Sequence, residues 1–303
     1  MAKIVLAGGT GNLGQLLLPY LKEKGDQIVI LSRKKMIKHH PGVEFMVWDG
    51  MTEGEWTKSL EDADVLINLS GASINRRFTP KNRDILYHSR IQPTKLLAKV
   101  IEKQAKPPKL WINISGVSIF NGASGLQDET SVAYGSDFLA KLAQDWEAAC
   151  LHSSTPNTEK VILRMSPLLS KNSGLLEELI PLAKLGLAGT IGSGKQMMPW
   201  IHEEDFVRLV DWIIQQEAPA AIYHACSPNP ETNKQFMEVL RKAVGRSFGL
   251  PLPTALAKLG AFVKGTDSSL LLETVPVTTI VTLENGFKFN FPYLHDAIKT
   301  LIK

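Results

Sequence analysis

Along the first half of the chain, short β-branched runs alternate with longer amphipathic stretches. Lys3–Ala7 reads as a strand, Asn12–Lys24 as a helix and Gln27–Leu31 as the next strand. The rhythm continues with strands at Glu44–Trp48, Val65–Leu69, Leu110–Ile114 and Val161–Met165, and with helices at Trp56–Leu60, Thr79–Lys103 and Phe138–Leu151. These strand runs are apolar throughout, as expected of strands covered on both faces, and such strands belong to parallel sheets. Pro19 falls inside the first helix, where it removes one backbone bond and predicts a kink. After Met165 the pattern breaks into Pro- and Gly-punctuated segments, with helices predicted at Leu175–Leu187, Glu204–Gln216, Asn233–Val244 and Pro253–Val263 and a strand at Ala221–Ala225.

With 303 residues and 44% hydrophobic side chains, the chain can fill a sizeable core. A net charge of +4 with no basic stripe interleaved with aromatics argues against a nucleic-acid partner. Cys150 and Cys226 stand far apart without CxxC or Cys/His spacing, so neither a disulfide framework nor a metal site is expected. The segment before the first glycines is too short for a signal-peptide core, and polar residues break the longest uncharged stretch, Leu110–Gln127. The expectation is a soluble, cytoplasmic protein with no membrane partner, whose assembly into homo-oligomers stays open.

The strongest local signal is Gly8-Gly9-Thr10-Gly11-Asn12-Leu13-Gly14 between a strand and a helix. Glycines there permit the tight turn, let backbone amides approach a pyrophosphate at the helix N-terminus and let helix and strand pack closely. The expected fold class is therefore an α/β doubly wound, Rossmann-like parallel sheet. Residues 1–165 would form the dinucleotide-binding domain and 166–303 a smaller, partly helical lobe, with the strand near 221–225 returning to the main sheet. The second strand ends in Ser32-Arg33-Lys34-Lys35, where an NAD-binding chain would carry an acid. Arg33 offers a planar fork for a 2′-phosphate, so the cofactor is read as NADP(H).

Other signals fail on chemistry. Gly189–Gln196 nearly spells a P-loop, but Gln196 replaces the magnesium-binding hydroxyl and Pro199 forbids the following helix. His202-Glu203-Glu204-Asp205-Phe206 lacks the second histidine of a zinc site, and His39-His40 reads as a solvated pair. Gly192–His202, with its glycine hinge, Lys195, two methionines, Trp200 and His202, suits a loop over a ligand pocket, or equally a joint packing two lobes.

The strings GGTGNLG, SRKK, Trp48-Asp49-Gly50, Asn68–Ala72 and Arg164–Pro167 together resemble the extended and atypical short-chain dehydrogenase/reductases, in the epimerase/dehydratase-like branch with a small C-terminal domain. That resemblance implies that Gly8, Thr10, Gly11, Asn12, Leu13 and Gly14 hold the pyrophosphate and that Arg33 takes the 2′-phosphate. It further implies Asp49 beside the adenine, Ser70 and Gly71 along the ribose, and Pro167 near the nicotinamide. Ser115 sits near the family's catalytic hydroxyl, with Ser118 as backup. Where the family carries a Tyr four residues before a Lys that grips the nicotinamide ribose, this chain keeps Lys141, which would hold the ribose, but has Asp137; Tyr134 lies three residues earlier and serves only if the chain folds back. A proton role then falls to Asp137, Tyr134, His202 or water. Arg76, Arg77, Ser118, Trp200 and His202 are the candidate contacts for a small polar carbonyl or sugar-nucleotide substrate. The alternative is a non-catalytic NADP(H)-binding sensor.

Overall fold

The computed structural model describes residues 1–33, 42–171 and 173–302; Lys34, Lys35 and the His39–His40 pair lie outside them. In chain order come β1 (Lys3–Ala7), α1 (Asn12–Glu23), β2 (Gln27–Ser32), β3 (Val43–Val47), β4 (Val65–Asn68), α2 (Pro80–Lys103), β5 (Leu110–Gly116), α3 (Phe138–Leu151) and β6 (Glu159–Met165). The helix expected at Trp56–Leu60 is a 3₁₀ turn, Glu55–Leu60. Then follow β7 (Leu168–Ser170), β8 (Ser173–Gly174), α4 (Leu175–Lys184), β9 (Met197–Met198), β10 (Ile201–His202), α5 (Glu203–Ile214), β11 (Ile222–Ala225) and β12 (Glu231–Thr232). The chain closes with α6 (Asn233–Ala243), α7 (Thr254–Lys264), α8 (Ser269–Leu272), α9 (Val281–Glu284) and α10 (Leu294–Ile302).

The main sheet has the order β11-β6-β5-β4-β1-β2-β3, and every pairing in it is parallel. Side-chain alternation divides its apolar residues between two cores. Ile4, Leu6, Ile30, Ile112 and Leu163 pack with Leu17 and Leu21 of α1 and Phe206 and Val210 of α5. Val5, Val29, Leu66 and Trp111 pack on the opposite side with Leu97 and Ile101 of α2. β11 joins the main sheet, and α5, which also follows residue 165, packs against it. Trp200, Phe236, Leu240, Ile298 and Leu301 form a third core, that of the lobe.

One carboxylate fastens the C-terminal segment to the sheet. Glu129 is buried, and its Oε1 accepts from the hydroxyls of Thr279 and Thr282 at 2.6 and 2.9 Å while its Oε2 accepts from the Ile280 and Val281 amides at 2.9 and 3.1 Å. The His224 amide of β11 donates to the same side chain at 3.2 Å. Only an acceptor-only group suits this ring of donors. Glu129→Gln, which turns an NH₂ toward N–H and O–H groups, should cost on the order of 3 kcal/mol and lower the melting temperature by several degrees; scanning calorimetry of the variant against the parent checks this.

Candidate functional site

The sheet order reverses at β1, which lies between β2 and β4, so the crevice beyond their C-terminal ends is where an open α/β sheet takes a ligand. The glycine turn stands there. Gly8 adopts φ +77°, and a Cβ on it would lie 3.2 Å from the backbone of Ser70. A methyl on Gly14 would collide with the Gly9 backbone, so α1 meets the turn at a distance that only hydrogen permits. Gly11 differs: the nearest atom to a Cβ there is the Gly8 carbonyl oxygen at 3.5 Å. Thr10, Gly11 and Asn12 are exposed at the rim, with Leu13 half-buried behind them. Gly11 is the N-cap of α1; it supplies no side-chain cap, and no acid occupies the first turn. The leading amides of the helix are thus free to meet an anion.

Arg33 is exposed just past the end of β2. Asp49, also exposed, follows β3 and folds its carboxylate onto the Met51 and Thr52 amides at 2.7 and 2.9 Å. These bonds hold its pKa below the ordinary aspartate value. Ser70 and Gly71 follow β4, and a buried polar chain sets their path. The Ser70 amide donates to Asn68 Oδ1 at 3.1 Å, and Asn68 Nδ2 donates to Asn113 at 2.7 Å and Thr94 at 2.9 Å. Trp146 Nε1 reaches the same Thr94 hydroxyl at 2.9 Å.

At the ends of β5 and β6 the structure assembles a cluster around an ion pair. Arg164, wholly buried, donates from Nε and Nη2 to the two oxygens of buried Glu147 on α3, both at 2.9 Å. Ser115, the register partner of Arg164, donates its hydroxyl to Glu147 Oε1 at 2.7 Å. Arg164 Nη2 also donates to the Tyr134 phenol oxygen at 3.3 Å, and Nη1 faces His224 Nε2 at 3.4 Å. His224 Nδ1 lies 2.8 Å from the Thr278 carbonyl, which makes Nδ1 the protonated nitrogen and Nε2 the acceptor. Burial pulls the His224 pKa below its ordinary value. Burial also opposes the Arg164 charge, but the bonds with Glu147 and Tyr134 outweigh it and raise its pKa.

The structure places the residues expected around the chemistry as follows. Ser115 is buried and donates its hydroxyl proton to Glu147. Ser118, half-buried in the turn Val117–Phe120, has a hydroxyl without a hydrogen-bond partner among the described residues. Asp137 is the N-cap of α3: one oxygen accepts from the Ala140 amide at 2.7 Å and the other from Asn121 Nδ2 at 2.9 Å. Lys141 is exposed, off the buried stripe of Leu139, Leu142, Ala143, Trp146 and Glu147, and takes no part in the cluster. Tyr134 meets the condition set for it. The Gly135 amide bonds the Ile119 carbonyl at 2.8 Å, folding the loop back so that the phenol ring packs 5.7 Å from Phe120.

The lobe-side candidates all make contacts within the protein. Trp200 is completely buried in the third core. His202 caps α5 by accepting from the Glu204 amide, holds Thr300 at 3.0 Å and stacks on Phe291. Within Gly192–His202, Gln196 donates to the Ile191 and Leu271 carbonyls, and β9 pairs with β12. Arg77 is clasped to α7, donating to the Phe262 carbonyl and stacking on its ring. Pro167 is exposed and gives its carbonyl to the Ile201 amide. Glu147, Asn113 and Thr94 were missed from sequence. The signal available for Glu147 was an acid on the apolar stripe of its helix.

Known proteins fit this architecture. The model of the NAD dependent epimerase/dehydratase family matches residues 4–226. Human epimerase family protein SDR39U1 is 30% identical, with 99% of each chain covered. Epimerase family protein SA0724 of Staphylococcus aureus is 28% identical over the whole of both chains. The crystal structure of human SDR39U1 isoform 2, solved with NADPH, superimposes with a TM-score of 0.87, covering 99% of this chain and 98% of that one. UDP-N-acetylglucosamine 4-epimerase from Bacillus cereus, 16% identical and covered to 98% by all of this chain, shares the fold with a TM-score of 0.75. Its match to the family model and its end-to-end likeness to the human relative place the chain in the NAD dependent epimerase/dehydratase family.

Proposed function

We propose that this protein binds NADP(H) across the turn Gly8–Gly14 and acts as a reductase or epimerase on a small polar carbonyl or sugar-nucleotide substrate. The observation that carries the cofactor assignment is the uncapped, acid-free N-terminus of α1 opening onto the rim at Gly11, with Arg33 placed at the end of β2. The NADPH-bound human relative supports the choice of cofactor. Asp49 would flank the adenine, Ser70 and Gly71 the ribose, and Pro167 the nicotinamide. Bound there, the cofactor supplies or accepts a hydride.

Proton transfer falls to Tyr134. Its oxygen accepts from Arg164, so its own O–H points to another acceptor, and the Glu147-backed guanidinium steadies the phenol when it gives up the proton. A second reading, a redox-sensing NADP(H) binder without turnover, draws on the fixed structural roles of Ser115 and Asp137. Turnover across a panel of carbonyl compounds and nucleotide sugars separates the two, since a sensor binds NADPH tightly and oxidises none of it.

Three expectations test these assignments. Gly11→Val should stay folded, because a Cβ finds room there, yet lose both NADPH and NADH; retained affinity by titration calorimetry would make the loop a mere turn. Arg33→Ala should weaken NADPH by about tenfold or more, one charge-assisted contact, and leave NADH unchanged. Equal losses would refute the 2′-phosphate role. Tyr134→Phe should cut turnover by at least about 100-fold without moving NADPH affinity, whereas Lys141→Met, which removes the ammonium expected on the nicotinamide ribose, should lower both NADPH affinity and turnover. A Tyr134→Phe enzyme with parental kcat would remove Tyr134 from the mechanism.

A further inference from the structure

A second concentration of positive charge lies between β4 and α2. Arg76 and Arg90 converge there, and neither has a carboxylate within ion-pair distance among the described residues. Arg90 projects from α2 beneath the loop after β4. Its Nη2 donates to the Ala72 carbonyl at 3.1 Å, its Nη1 to the Leu86 carbonyl at 3.2 Å and the Ser89 hydroxyl at 3.4 Å, and its guanidinium carbon lies 5.1 Å from the centre of the Trp146 ring. Every one of these partners is neutral. They satisfy N–H groups and leave the charge uncancelled, and burial together with the nearby charge of Arg76 pushes the Arg90 pKa down to about 10. A half-buried cation without a counter-ion is costly, and an oxyanion relieves that cost.

The geometry gives such an anion an approach. Gly71 is exposed, and a Cβ on it would stand 3.2 Å from the centre of the Arg90 guanidinium, so the missing side chain leaves that face uncovered. The Nε–H of Arg90 has no partner among the described residues. Next along the loop, Ser70 backs directly onto Gly8, which sets Arg90 one loop's thickness from the glycine turn. Arg76, held by its Nε to the Ser73 carbonyl at 2.8 Å, adds a second positive charge at the same place.

We propose that Arg90, with Arg76 beside it, seats an oxyanion, a phosphate or carboxylate group, lying over Gly71 at the mouth of the cleft. The group is either the diphosphate of the cofactor or an acidic group of the substrate. The position of the cleft rests on the dinucleotide reading of the glycine turn; the anion itself does not.

Titration calorimetry with NADPH, and with inorganic phosphate added to free and to NADPH-saturated protein, tests the proposal on the parent, Arg90→Gln, Arg90→Lys and Arg76→Gln. If the cofactor diphosphate is the anion, Arg90→Gln weakens NADPH tenfold or more, Arg90→Lys recovers part of the loss, and the saturated parent takes no phosphate. If the substrate supplies it, NADPH affinity is unchanged, the saturated parent binds phosphate, and Arg90→Gln does not. In either case Arg76→Gln weakens the same ligand by a smaller factor. Should the protein bind no NADPH at all, phosphate bound by the free parent and lost in Arg90→Gln still supports the seat while the cofactor reading fails. Arg90→Gln matching the parent toward both probes, or a folded variant differing only in melting temperature, overturns the proposal and leaves Arg90 a tie between α2 and the loop.

Discussion

Much of the upper edge of the sheet depends on one buried charge. Arg164 sits near the end of an apolar strand with no exposure, where a lone guanidinium would be prohibitive. It is tolerated because Glu147 meets two of its N–H groups with both oxygens and because Tyr134 and His224 take others. Each of those partners brings a different piece of chain. Glu147 locks α3 to the ends of β5 and β6, Tyr134 draws in the loop before α3, and His224 carries the tie on to Thr278 and the segment that Glu129 clamps. Removing the charge partner would therefore release four elements, not one.

This arrangement also explains what could be read from the sequence and what could not. Strands and helices of the main sheet were legible because burial on both faces writes itself as continuous apolar runs, and the glycine turn because each glycine has a backbone reason. The family and its Rossmann-like fold followed from the same strings. Ser115 shows the limit. A serine at the end of a strand can face the cleft or the helix packed behind it, and only the position of Glu147, brought near through the packing of α3, decides between them. The same holds for Trp200 and His202, whose composition suited a ligand loop but whose partners, the third core and Thr300, come from far along the chain. α10 escaped notice because its nine residues follow a Pro- and Phe-rich run that masks their periodicity.

Two clues in the sequence were physical and could have been used. An arginine inside Val161-Ile162-Leu163-Arg164-Met165 requires a buried acid, and the acid on the apolar stripe of α3 is the natural partner. Read together, they predict the ion pair without coordinates. No comparable clue exists for Arg90, since the neutral carbonyls around it leave no trace in side-chain types.

The displaced tyrosine follows from where α3 begins. Asp137 caps the helix, so the first turn starts after it and Tyr134 is left outside in the preceding loop. A tyrosine on a helix can be served by a lysine one turn later, because positions four apart share a face. A tyrosine in a loop has no such fixed neighbour on its own element, and Lys141, one turn into α3, is exposed. On the proposed role for Tyr134, the cation beside its phenol comes from another element: Arg164 at the end of β6, fixed in place by Glu147. Moving the helix start by one cap residue thus exchanges a local pair for a tertiary one, and makes the geometry of Tyr134 depend on the packing of α3 against the sheet.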